Sequence, residues 1–278
     1  MRALAYPVKF ENFCRLHTHP MKRVLRSFFL IINYKTIIIT ILSVISTYIC
    51  FHMGMVAKFP DMLVGVAIVF PVVFSISSAY NRRETALQRF SEFKGHALAV
   101  YYATRDWTTT KGHDIPMRVR DIVKDMTILM HSTFTTDKRE AMHENEQKMY
   151  DLFSTLSEVT QDMRLYGAQS TEISRVSQYV SKMMIAYDNL KVIHVYRTPI
   201  TLRAYSKVFI YIFPIIYGPY FASTFHDYSA HLEYVMPVLY SFILVSLDNI
   251  QDHLEHPFDN VGEDDIRIDE KEIISLMK

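Results

Sequence analysis

Residues 36–57 contain no Lys, Arg, Asp or Glu. A helix over this stretch rises about 33 Å, enough to cross a hydrocarbon core of about 30 Å. A second charge-free run, 62–81, lies between Asp61 and Arg82. Only Lys58, Phe59, Pro60 and Asp61 separate the two. So short a link makes an antiparallel helical hairpin. Residues 36–81 therefore read as a first transmembrane hairpin.

A third run, 208–226, carries Pro214, Gly218 and Pro219. In water these residues break a helix; inside a membrane bundle, neighbouring helices satisfy the freed backbone groups. The fourth run, 234–247, is shorter than a span, and the plain reading of that length is a buried soluble helix. We read it as a span because Asp248, Asn249 and Ile250 can continue it with polar groups facing protein or water. Residues 208–250 then form a second hairpin, giving four spans.

Charge orients the spans. Residues 1–35 hold Arg2, Lys9, Arg15, Lys22, Arg23, Arg26 and Lys35 against the single acid Glu11, and 227–233 has Asp227 and Glu233 with no Lys or Arg. Basic segments stay on the cytoplasmic side during insertion, so both termini and residues 82–207 are expected there. The first 28 residues lack the apolar core of a secretory signal. The expected plan is one domain: a basic segment 1–35, hairpin 36–81, cytosolic helical region 82–207, hairpin 208–250 and acidic tail 251–278. Over the whole chain, 30 Lys+Arg against 29 Asp+Glu leave no global basic field for nucleic acid. Cys14 and Cys50 make no disulfide framework. Seven glycines are few for a Gly-rich nucleotide fold or an all-β protein.

The cytosolic region reads as helices throughout, so the fold class is all-α. Pro116 can open a helix on which Val119, Ile122, Val123, Met126 and Met130 share a face. Leu152, Phe153, Leu156, Val159 and Met163 form a second stripe. Ile173, Val176, Tyr179, Val180, Met183 and Met184 form a third. Charged and amide side chains cover the opposite faces, as in a helical bundle.

Little in the chain suggests catalysis. There is no Ser–His–Asp pattern, nucleophile elbow or Walker loop. His17 and His19, with Asp252, His253, Glu255 and His256, are the only grouping that invites a metal reading; surface roles suit them better. The second run is more informative. Val66, Phe70 and Phe74 recur every fourth residue, which places them on one helical stripe. Tyr80, Arg82 and Arg83 follow. Packing between spans is the plainest account of such a stripe.

The residues after the last run add weight to another account. Glu255-His256-Pro257-Phe258, followed by Glu263, Asp264 and Asp265, resembles the signature after the last span of bestrophin anion channels. The second run agrees: Phe74, then Tyr80 and Arg82, resembles the bestrophin pore helix and its exit. Thr198-Pro199 resembles the step ahead of the family's third span. The resemblance implies a helical pentamer around a central pore. It implies an apolar neck of Val66, Phe70 and Phe74 and a cytosolic aperture at Thr198, where the family usually has an aliphatic residue. Asp264 and Asp265 fall near the calcium clasp of animal bestrophins, although Asp259 stands where the family usually has Gly. Bacterial and plant relatives do without that clasp, so calcium is not a required cofactor.

In such a pore the cargo is an inorganic anion: chloride, bicarbonate or nitrate moving passively. A narrow apolar ring empties of water and so raises a barrier, and aromatic edges favour an anion. Arg82 and Arg83, just past the ring, either concentrate anions on the cytosolic side or serve as an ordinary basic flank. The main rival is a membrane-anchored helical scaffold without a pore, in which Val66, Phe70 and Phe74 only pack. A metalloenzyme built on the His clusters is third.

Overall fold

The computed structural model of the chain describes residues 33–57, 61–110, 112–136, 138–196, 199–225, 231–259 and 265–278. Among them all the regular elements are helical. We number these α1 (Tyr34–His52), α2 (Asp61–Asp106), α3 (Ile115–Thr135), α4 (Arg139–Gln161), α5 (Ser170–Val195), α6 (Ile200–Ile216), α7 (Gly218–Thr224), α8 (Leu232–Glu255) and α9 (Glu270–Leu276). Two compact units result: Met1–Gly65 with Lys207–Ile250, and Val66–Ser206 with Gln251–Lys278.

In the first unit, α1 opens on a capping box. The Asn33 side chain accepts from the Tyr34 amide at 2.6 Å, and Thr36 Oγ1 accepts from the Asn33 amide at 3.3 Å. The burial pattern of α1 is the reverse of a water-soluble helix. Its buried residues are Thr36, Ser43, Thr47 and Cys50, whereas Ile37, Ile38, Ile41, Leu42, Ile45 and Ile49 are exposed. Apolar residues turned outward and small polar ones turned inward are what helix packing in lipid selects. Among the described residues α1 is the one unbroken helix long and apolar enough to cross a membrane.

The third charge-free run is broken at Tyr217 into α6 and α7. Pro219 lacks an N–H, so the Ile215 carbonyl loses its donor four residues on. Ser46 Oγ of α1 donates to that carbonyl at 2.7 Å, and Ser43 Oγ donates to the Pro214 carbonyl at 2.6 Å. Neighbouring helices do satisfy the break. The fourth run lies inside α8, which continues through Asp248 and Asn249; both are buried.

The second unit holds a continuous core. Val119, Ile122, Val123, Met126 and Met130 of α3 are all buried, and Pro116 sits in the first turn of that helix. Phe153, Leu156, Val159 and Met163 meet them, with Leu152 partly buried at the edge. Ile173, Val176, Val180 and Met183 of α5 complete the core, with Tyr179 and Met184 packed against it. Phe93, Ala97 and Val100 of α2 join the same cluster. Lys191 fastens α5 to α4 through Glu146 at 2.6 Å and the Tyr150 hydroxyl at 3.3 Å. Burial works against its charge, but the Glu146 and Tyr150 hydrogen bonds outweigh it and raise the Lys191 pKa.

Past the second charge-free run, α2 continues without interruption to Asp106, 46 residues in all. The acidic C-terminal residues contribute apolar side chains to the core. Phe258, Ile266, Ile268, Ile273 and Met277 are buried in the core. Arg105 Nη1 donates to the Lys278 carbonyl at 2.6 Å, and the Tyr102 hydroxyl donates to the Leu276 carbonyl at 2.7 Å.

Candidate functional site

The first turns of α2 carry the candidate neck. Val66, Phe70 and Phe74 are 56%, 61% and 53% exposed in the isolated chain. The Phe70 and Phe74 rings meet edge to face, with centroids 4.6 Å apart and planes at 72°. That geometry is the favourable one for two aromatic quadrupoles. Val72, Ser75 and Ala79 are buried on the same helix. The helix thus has one face committed to its own chain and another, bearing Val66, Phe70 and Phe74, left for whatever surrounds it.

Arg82 is committed locally. Its guanidinium donates to the backbone carbonyls of Ile193 and Tyr196, at the C-terminal end of α5. The last carbonyls of a helix have no intrahelical donors, and they carry the negative end of its dipole. A planar, always charged fork suits both. Arg83 is paired with Glu84 at 2.5 Å. Thr198 and Asp264 lie outside the described residues. Asp265 lines an open cavity of about 390 Å³ together with Arg83, Phe90, Lys94, Arg267 and Glu272. Lys94 spans it to Glu272 at 2.8 Å. Among the described residues no group of three or more His, Cys, Asp or Glu is placed to hold a metal ion. His17 and His19 lie outside the described residues.

Two buried acids of α8 were not singled out as partners in the sequence. Glu255 has no exposed side-chain surface; it pairs with Arg203 of α6 at 2.9 Å and accepts from Gln251 Nε2 at 3.0 Å. Phe258, three residues on, packs against Phe134 with ring centroids 4.9 Å apart and planes tilted by 31°. The signature Glu-x-Pro-Phe is therefore a pair of anchors, one ionic and one aromatic. In the first unit Asp248, also buried, accepts from the Tyr211 hydroxyl and lies 3.9 Å from Lys207 Nζ. Only their position on a mostly apolar helix could have marked these acids as partnered.

Solved structures share this fold. A variant of a bacterial Bestrophin homolog from Klebsiella pneumoniae superposes with a TM-score of 0.75 at 16% identity, over 87% of this chain and 97% of that one. The chain has the bestrophin fold. A second structure of the Klebsiella pneumoniae homolog gives a TM-score of 0.72 at 13% identity, over 88% of this chain and 94% of that one. A structure described as a membrane protein variant gives 0.75 at 16% identity, over 88% and 98%. No family model and no curated protein sequence matches the chain. At such identities few residues are shared, and the likeness is one of fold.

Proposed function

We propose that this protein is a membrane anion channel, formed by several copies of the chain around a shared axis, most simply a pentamer. The observation that carries the reading is the exposed line of Val66, Phe70 and Phe74 on a helix whose other face is buried. The bestrophin fold supports it, because the resemblance noted in the sequence implies a neck at these three positions. The outward-facing Ile and Leu residues of α1 support a lipid environment.

In this reading the three side chains from each copy make stacked apolar rings. A constriction lined by Val and Phe loses its water readily, and an ion then meets a barrier. Phe edges carry partial positive charge, so an anion is favoured over a cation once inside. Chloride, bicarbonate and nitrate are the expected cargo, moving down their gradients. Both termini are on the cytosolic side, as the basic segment 1–35 predicts. Thr198 is the proposed aperture. Calcium is not required; Asp264 and Asp265 are the residues that would bind it.

The test is electrical. Purified protein in a planar bilayer with asymmetric chloride is expected to show a reversal potential close to the chloride equilibrium value. A potential that follows the cation gradient rejects the reading. Native mass measurement in detergent should give a pentamer; a monomer counts against a pore at a shared axis.

A further inference from the structure

Arg82 is four and eight residues beyond Ser78 and Phe74 on one unbroken helix. Eight residues turn an α-helix by about 80° beyond two full turns. Holding the guanidinium of Arg82 therefore restrains the direction in which Phe74 points. The group that holds it is the end of α5, through the Ile193 and Tyr196 carbonyls. α5 in turn is seated in the core by Val180, Met183, Ala186, Tyr187 and Leu190. We infer that Arg82 is a positioning residue for the proposed neck: Phe93, Ala97 and Val100 seat the far half of α2 in the core, and Arg82 ties the part of the helix nearer the neck to the end of α5 and so helps to aim Phe74.

This inference rests on the pore reading and changes the role assigned to Arg82. A basic residue that concentrates anions acts through its charge at a distance. A residue that bridges two carbonyls acts through its shape. Lysine keeps the charge but offers a single ammonium in place of a planar fork, so it cannot reproduce the paired geometry. Salt separates the two as well, because screening weakens a long-range field and leaves a direct hydrogen bond to a carbonyl largely intact.

The test compares Arg82→Lys and Arg82→Gln in the full-length reconstituted protein. Under the positioning role both variants alter chloride current to a similar extent, and the change is the same in dilute and concentrated salt. Combined with Phe74→Ala, each is expected to depart from additivity by about threefold or more. If Arg82→Lys behaves as wild type, or the Arg82→Gln defect vanishes in concentrated salt, the role is charge attraction and the inference is overturned. Additive effects with Phe74→Ala overturn it too. A second readout needs no current: amide hydrogen exchange in the last turn of α5, residues 190–196. Both variants should exchange there at least about tenfold faster as the turn frays. Unchanged exchange rejects the tie. Faster exchange in a protein that passes no anions leaves the tie standing and rejects the channel.

Discussion

Ser46 of α1 donates its hydroxyl to the Ile215 carbonyl at 2.7 Å, the carbonyl that Pro219 leaves without a helical donor. Gly218, between Ile215 and Pro219, lets the two helices come this close. A Cβ at Gly218 would sit 3.0 Å from the Ser46 carbonyl carbon and 3.1 Å from the Thr47 amide nitrogen. Both are backbone atoms and cannot swing away. Ser46→Ala should lower stability in detergent by about 1 kcal/mol, or less if lipid-facing partners compensate. Gly218→Val should cost about 1–3 kcal/mol or more, through forced separation of α1 and α7. Thermal unfolding of the purified variants checks the order. A valine tolerated as well as the alanine at Ser46 would contradict the close packing.

The Arg203–Glu255 pair makes a sharper prediction about stability. Glu255 is wholly buried, while Arg203 retains about a quarter of its side-chain exposure. Removing Arg203 leaves a buried carboxylate that keeps its hydrogen bond from Gln251 but has lost its counter-charge, and such a loss costs about 3–5 kcal/mol. The cost here should fall at the low end, because water already reaches the arginine. Replacing both partners at once, Arg203→Met with Glu255→Leu, removes the buried charge along with its partner. The double variant should be more stable than Arg203→Met alone. Chemical denaturation of the three proteins decides it; a double variant less stable than both single ones would contradict the account.

How much of this could be read beforehand depends on what each residue faces. The stripes of α3, α4 and α5 were legible because water on one side and core on the other impose a helical period on residue choice. Val119, Met126, Leu156 and Met183 all went where that period puts them. The body of α1 was legible for a different reason, the charge-free run 36–57, although the helix itself begins two residues earlier at Tyr34 and takes in Lys35. The continuation of α2 past Arg82 was not. A polar stretch after an apolar one looks like a membrane boundary, yet nothing in Arg83-Glu84-Thr85-Ala86-Leu87 breaks a helix. The C-terminal anchors were hidden for lack of length: Ile266 and Ile268 alternate in a short extended stretch among charges. The proposed neck reads as a stripe in the sequence, but period alone says that Val66, Phe70 and Phe74 share a face and says nothing of what that face meets. For Arg82 the charge was visible and the carbonyls it serves, 111 and 114 residues away, were not.

The stability of the cytosolic core should depend on pH through His96. Its ring stacks on Tyr179, centroids 6.1 Å apart. Burial lowers its pKa below the ordinary 6.5, the charge of Lys182 lowers it further, and Glu92 opposes both. A base with a depressed folded pKa takes up its proton in the unfolded chain first. The stability it contributes is therefore complete above about pH 6.5 and is lost as pH falls toward the folded value. The melting temperature of the wild-type protein should drop between about pH 7 and pH 5.5 by more than that of His96→Gln. Identical pH profiles for the two would remove His96 as a cause.

The neck makes two claims that can be separated. Phe70 and Phe74 are more than half exposed in their own chain, so truncation there removes little intrachain packing. Phe74→Ala and Phe70→Ala should each cost the chain no more than about 0.5–1.5 kcal/mol, the worth of the Phe70–Phe74 edge-to-face contact that either removes. Val72, at 2% exposure on the same helix, should tolerate a polar replacement far less well. Current should respond in the opposite order. In the proposed pore, shortening Phe74 widens the apolar ring and lowers the dewetting barrier, so chloride conductance should rise. Phe70→Ser should raise it further by holding water in the constriction. If these positions only pack against a neighbouring helix in a scaffold, the serine variant will instead lower the yield of assembled protein and carry no added current. Single-channel recording alongside size-exclusion profiles of Phe70→Ser tells the two apart, because a pore residue moves the first and a packing residue moves the second.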